Sequence, residues 1–151
     1  IVGSNAIDNL TRYLETGELT TVDVVPTLSP SMDIQVSSNF ERLLFDYYQR
    51  NGTKVVKIME QFRLNRRVSL SKARWRSMRN LFEGHRLGDN ETQDALAALY
   101  HDTGELIDPH TVIGIKAGQA ARASASAAAL VRAVYSCSNA KKTSVILDFE
   151  M

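Results

Sequence analysis

At 151 residues, 44% of them hydrophobic, the chain is long enough for one domain with a buried core. Its formal net charge of +1 excludes the overall bias that draws a whole domain to nucleic acid or to an anionic membrane, so only a local patch can serve such a partner. A single cysteine, Cys137, excludes an internal disulfide and a cysteine-based zinc site, which makes the reducing cytoplasm the default expectation.

No apolar run approaches the roughly 18 to 20 residues of a spanning helix, and the N-terminus lacks the basic-then-apolar pattern of a signal peptide, so no membrane partner is expected. The opening "IVGSN" has no initiator methionine and reads as the end of a strand begun elsewhere. The sequence is therefore expected to be a piece of a longer protein.

Ser4 and Asn5 suit the cap of a first helix carrying Ile7, Leu10 and Leu14 on one face, with Gly17 as its left-handed stop. "LTTVDVVPTLSP" (Leu19 to Pro30) predicts one short strand or edge followed by an ordered loop, because Pro26 has no amide to donate in a paired strand. Ser38 and Glu41 have capping-box spacing for a helix whose apolar face is Phe40, Leu43, Leu44, Tyr47 and Tyr48. After Asn51-Gly52 a further helix is predicted to bury Val55, Val56, Ile58, Met59 and Phe62.

Trp75, Met78 and Phe82 predict a helix over about Ser71 to Glu83, ended by Gly84 and Gly88. Asp89 or Asn90 opens the next, with Leu96, Leu99 and Tyr100 as its buried side and Gly104 as its stop. In "LIDPHTVIGIKAG", Asp108 is placed as an N-cap and Pro109 as the first helical residue, where its missing N–H costs nothing. Gly114 and Gly118, one turn apart, predict close packing of that helix. Residues 119–151 form an Ala/Ser-rich tail of different character, in which "TSVILDFEM" suits a terminal strand.

None of the three histidines has metal-ligand spacing: His85 and His101 sit in exposed helix-end contexts and His110 in a first turn. No glycine-rich phosphate loop, nucleophile elbow or dinucleotide fingerprint is present. Arg63, Arg66, Arg67, Lys72, Arg74, Arg76 and Arg79 surround Trp75, a combination that nucleic-acid binding uses, since phosphates need cations and bases stack on rings. Trp75 also fits the buried stripe with Met78 and Phe82, which leaves these cations on a solvated face. A small helical nucleic-acid-binding module on Arg63–Arg79 is thus the alternative reading.

The other candidate is "TLSPSMDIQVSSN" (Thr27 to Asn39), where hydroxyls, an Asp, a Gln and an Asn lead into a helix N-terminus. These groups suit the binding of a phosphate or oxyanion, and equally a capped surface turn.

Three stretches resemble the threonine synthase family in the same order: "SNAIDNLTRYLETGEL" (Ser4 to Leu19), "TLSPSMDIQVSSNFERLLFD" (Thr27 to Asp46) and "TGELIDPHTVIGIKAG" (Thr103 to Gly118). The resemblance covers most of residues 1–118 and is closest to the fungal and proteobacterial branch. It implies an α/β fold, the largely helical C-terminal portion of a pyridoxal-phosphate fold type II enzyme, with one or two short strands. The implied reaction is a β,γ-replacement that converts O-phosphohomoserine and water to L-threonine and phosphate, with pyridoxal 5'-phosphate as electron sink. The missing N-terminal part of the same protein is the implied partner.

The family's aldimine lysine, in an F-K-D context, and its G-N-F-G cofactor-phosphate loop do not occur here. No catalytic lysine is assigned among Lys54, Lys57, Lys72, Lys116, Lys141 and Lys142, and the chain alone is expected to be inactive. Substrate or phosphate contact is expected from Ser29, Ser31, Asp33, Ser38, Asn39 and Arg42, with His110 and Thr111 as further candidates. The tail departs from the family's P-x-V-V-L-x-T-A-H-P-A-K-F pattern. A one-nucleotide shift through Ala128 to Lys142 permits P-P-L-x-V-L-x-T-A-x-P-x-P-K, so either a frameshift or a divergent end accounts for it.

Overall fold

Residues 1–124 are described by the computed structural model; the terminal strand and the altered tail motif expected further on lie outside the described residues. Strand β1 (Val2–Ser4) pairs in parallel with β4 (Gly84–Arg86), and β2 (Glu18–Thr20) pairs antiparallel with β3 (Arg67–Ser69). Helices α1 (Asn9–Thr16), α2 (Ser38–Tyr47), α3 (Gly52–Asn65), α4 (Lys72–Arg79), α5 (Asp89–Thr103) and α6 (Pro109–Ser124) supply the rest. The predicted helical character holds, while β3 and β4 exceed the one or two strands expected. The boundary drawn at residue 118 falls inside α6.

Helix α1 begins later than Ser4-Asn5 suggests. Ser4 completes β1, its hydroxyl bonded to Thr11 Oγ1 at 2.7 Å and to the His85 carbonyl at 3.2 Å, and Asn5 Oδ1 accepts the Ile7 amide at 2.9 Å in a turn. Tertiary pairing has taken the residues that a local rule assigns to capping. Gly17 stops α1 as expected, at φ 81°, and its amide donates to Tyr13 O.

Tyr13, Leu14, Leu19, Phe40, Leu44, Val55, Met59, Phe62 and Met78 form the core. Tyr13 stands edge-on to Phe40, centroids 5.1 Å apart, and donates its hydroxyl to Met78 Sδ at 3.3 Å. Burial, with Tyr48 and Tyr47 nearby, pushes its phenol well above the ordinary value. The cap of α2 is Ser37 rather than Ser38: its hydroxyl accepts from the Phe40 amide, three residues on. On α3, Val55, Met59 and Phe62 are buried, whereas Val56 lies one position off that stripe and is half exposed.

Helix α4 ends at Arg79, short of the predicted Glu83, because the chain must extend to pair β4 with β1. His85 consequently occupies a strand, 19% exposed, its Nε2 3.1 Å from Glu83 Oε1, not an exposed helix end. Helix α5 buries Thr92 and Ala95; Leu96 and Leu99 are partly covered and Tyr100 is exposed. Helix α6 lies on β1, where Gly3 leaves a Cβ position only 3.4 Å from Ile113 and Ala117 side-chain atoms. Gly3 makes this close approach, whereas a Cβ on Gly118, one of the two glycines expected to pack closely, meets nothing within 4 Å among the described residues. No helix among the described residues is long and apolar enough to cross a membrane.

Backbone approaches closely at Gly84, where a Cβ would lie 2.8 Å from Thr11 Cα. Gly84→Ala is expected to separate β4 from α1 and to cost about 1–3 kcal/mol in urea unfolding, the range of overpacked sites. An unchanged midpoint would contradict this packing.

Candidate functional site

The loop between β2 and α2 folds around one side chain from outside it. The Asn5 carboxamide nitrogen lies 2.8 Å from Thr27 Oγ1, 3.0 Å from Ser29 Oγ and 2.7 Å from Asp33 Oδ1, with the Ser29 carbonyl at 3.4 Å. Asp33 also accepts the Thr27 hydroxyl at 2.7 Å and the Thr27 amide at 3.0 Å. Asn5 and Ser29 are each 1% exposed. Buried polar groups need partners, and these two find them within the loop and the turn after β1. Further on, Gln35 Oε1 accepts from Asn9 Nδ2 at 3.0 Å and from the Val22 amide at 2.9 Å, closing the loop's base.

Two more ties run to the C-terminal helices. Leu28 donates its amide to Asp89 Oδ1 at 3.2 Å, and Ser31 donates its amide to His110 Nε2 at 3.3 Å. The imidazole proton therefore sits on Nδ1, facing Asp108 Oδ1 at 3.0 Å. Asp108 caps α6 as predicted, accepting the His110 and Thr111 amides at 2.9 and 3.2 Å and the Thr111 hydroxyl at 2.6 Å. Burial opposes its charge, but the bonds from Thr111 and His110 outweigh that and hold the carboxyl below its ordinary value.

Of the residues singled out in the sequence, Ser29 and Asp33 are thus joined through Asn5, His110 and Thr111 through Asp108, and Ser31 to His110 directly. Ser38, Asn39 and Arg42 stand apart on the first turns of α2, with Ser38 and Arg42 exposed. Asn39 shares the wall of an apolar cavity of about 230 Å3 with Leu10, Tyr13, Phe40, Leu43 and Phe82. Asn5, Asp89 and Asp108 were not among the predicted contact residues. The loop partners of Asn5 and Asp89 lie more than twenty residues away in sequence, where no local pattern announces them, whereas Asp108 was legible as a cap but not as the support of His110.

No protein-family model matches the chain. Threonine synthase of Pseudomonas aeruginosa is 42% identical over 126 residues, which are 83% of this chain and 27% of the relative. The crystal structure of pyridoxal-phosphate-bound threonine synthase from Brucella melitensis superposes with a TM-score of 0.73 at 36% identity, over 83% of this chain and 26% of that one. The chain is a homologue of part of threonine synthase. Yeast threonine synthase matches with a TM-score of 0.74 at 28% identity, over 82% of this chain and 27% of that one. The homologue spans about a quarter of the length of the threonine synthases it matches.

Within this threonine synthase homologue the basic segment is tied to its own fold. Trp75 donates its indole N–H to Leu14 O at 2.9 Å and lies against Gly17, so the ring is engaged in packing. Arg79 covers that ring at 5.4 Å, Arg74 covers Tyr48 at 4.2 Å, and Arg67 pairs with Glu18. Trp75 is accordingly part of the packed stripe expected with Met78 and Phe82, and the aromatic faces are occupied. Among the described residues no cluster of three or more His, Cys, Asp or Glu side chains has metal-binding geometry.

Because Asp108 titrates lower folded than unfolded, its contribution is complete above the unfolded value and is lost as pH falls through the folded one. Asp108→Ala is expected to cost about 1 kcal/mol at about pH 5, as N-cap losses do, and the gap to wild type should close toward about pH 2. Thermal unfolding across that range checks this; a gap that persists in acid contradicts it.

Proposed function

We propose that this chain is the C-terminal part of a cytoplasmic threonine synthase, residues 1–118 carrying the family segment. Assembled with the rest of the enzyme, it serves the conversion of O-phosphohomoserine and water to L-threonine and phosphate. The observation that carries this reading is the match of 126 residues at 42% identity to the Pseudomonas aeruginosa enzyme. Since the match spans about a quarter of that relative, the activity is assigned to the assembled protein.

Pyridoxal phosphate is the cofactor of the reading, as in the Brucella melitensis structure. The described residues do not fit its covalent attachment. Lys54, Lys57 and Lys72 are exposed and Lys116 is half-buried on α6; none lines the apolar cavity or the smaller one of about 40 Å3 beside Gln35. With no lysine so placed among the described residues, we assign the linking amine to another part of the enzyme and expect the chain alone to be inactive.

What this chain contributes is a shaped wall. The loop hydrogen bonds hold Ser29 inside, while Ser31, Asp33, Ser38, Asn39, Arg42, His110 and Thr111 retain surface. The first turn of α2 offers backbone N–H groups and the positive end of the helix, and Arg42 adds a full positive charge one turn on. This end of α2 suits the phosphate of the substrate.

Arg42→Gln in the assembled enzyme is expected to raise KM for O-phosphohomoserine about tenfold or more with a smaller change in kcat, since a charge-assisted contact is lost. Phosphate release reads both constants. An unchanged KM would remove Arg42 from the substrate site, and no release from the assembled wild type would overturn the reading itself.

A further inference from the structure

We infer that Asn5 is a positioning residue of the site proposed above, a role that rests on that reading. Its carboxamide sets the conformation of Thr27–Asp33, and through it the approach of the chain to α2. Three side-chain oxygens, on Thr27, Ser29 and Asp33, lie within 3.0 Å of one nitrogen that carries two hydrogens. The opposite oxygen is fixed by the Ile7 amide at 2.9 Å, which determines which end of the carboxamide meets the loop.

Such a pocket selects a neutral double donor. Leucine in its place would leave these three oxygens, one of them on the buried Ser29, to find other partners. Aspartate would set a carboxylate against that of Asp33, the ionisable group hydrogen-bonded to the carboxamide, where only one of the two ionises readily. Asn9, one turn along at the start of α1, bonds Gln35 at the far end of the same loop. The two asparagines thus hold the loop at both ends, and Ser37, Ser38 and Asn39 follow directly from it.

Asn5→Asp in the 151-residue chain provides the test. The amide resonances of Thr27, Ser29 and Ser31 are expected at wild-type positions near pH 4, where the carboxyl pair shares a proton, and displaced at about pH 8, where both are driven to ionise. Wild-type positions at about pH 8 would overturn the clamp. Should the variant fail to fold there, the double variant N5D/D33N restores a carboxamide opposite a carboxylate. Wild-type-like Thr27 and Ser29 resonances are expected from it, and failure to recover them overturns the clamp equally.

In the assembled enzyme, kcat/KM of Asn5→Asp relative to wild type should fall by at least about tenfold between about pH 6 and pH 8. A merely structural residue would give a ratio independent of pH. Phosphate release by wild type with a flat ratio overturns the positioning role and leaves the threonine synthase reading standing. No release by wild type overturns that reading, and the role with it.

Discussion

The contact on which the rest of this structure depends is that of one buried carboxamide with the polar loop folded around it. A loop of this kind has no sheet or helix to satisfy its polar groups, and each group left unpaired costs about 1–3 kcal/mol. Asn5 meets that demand from the end of β1, where the chain turns toward α1. Its place follows from the strand: β1 lies between β4 and α6 only because Gly84 and Gly3 let backbone approach Thr11, Ile113 and Ala117. Two glycines without side chains thereby determine where a polar hub can stand.

Below this polar layer the core is conventional, and the two meet on α2. Phe40 and Leu44 face Tyr13 and the α3 stripe, while Ser38 and Arg42 on the same helix remain exposed. Burying the apolar face fixes the helix, and the fixed helix presents its N-terminus and its cation. Arg67, Arg74 and Arg79 of β3 and α4 are, by contrast, engaged with a carboxylate and two rings of their own fold. That difference explains why the hydroxyl-rich loop, and not the more conspicuous arginine cluster, carries the functional reading.

What was legible in the sequence was local. The left-handed stops at Gly17 and Gly104, the Asp108 cap with Pro109 after it, and the buried triplet Val55, Met59 and Phe62 all follow from spacing within one or two turns. The strands β3 and β4 were missed because three residues give no periodicity, and β4 is held by β1 about eighty residues away in sequence. Asn5 was read as a helix cap because Ser-Asn before an apolar repeat obeys the capping rule. The loop it serves lies more than twenty residues further on, where no local rule reaches. Family resemblance supplied the function class, yet it did not separate Ser29, sealed under the loop, from Arg42, open on α2.

Hydrogen exchange at the amides of Thr27, Ser29 and Ser31 in the unliganded wild-type chain tests directly whether the loop is folded before any substrate arrives. These amides donate to Asp33, Thr27 and His110. The structure predicts exchange slowed about a hundredfold or more relative to an open chain, as for amides released only by local unfolding. Exchange at open-chain rates would contradict a preformed loop and leave Asn5 without the role given to it.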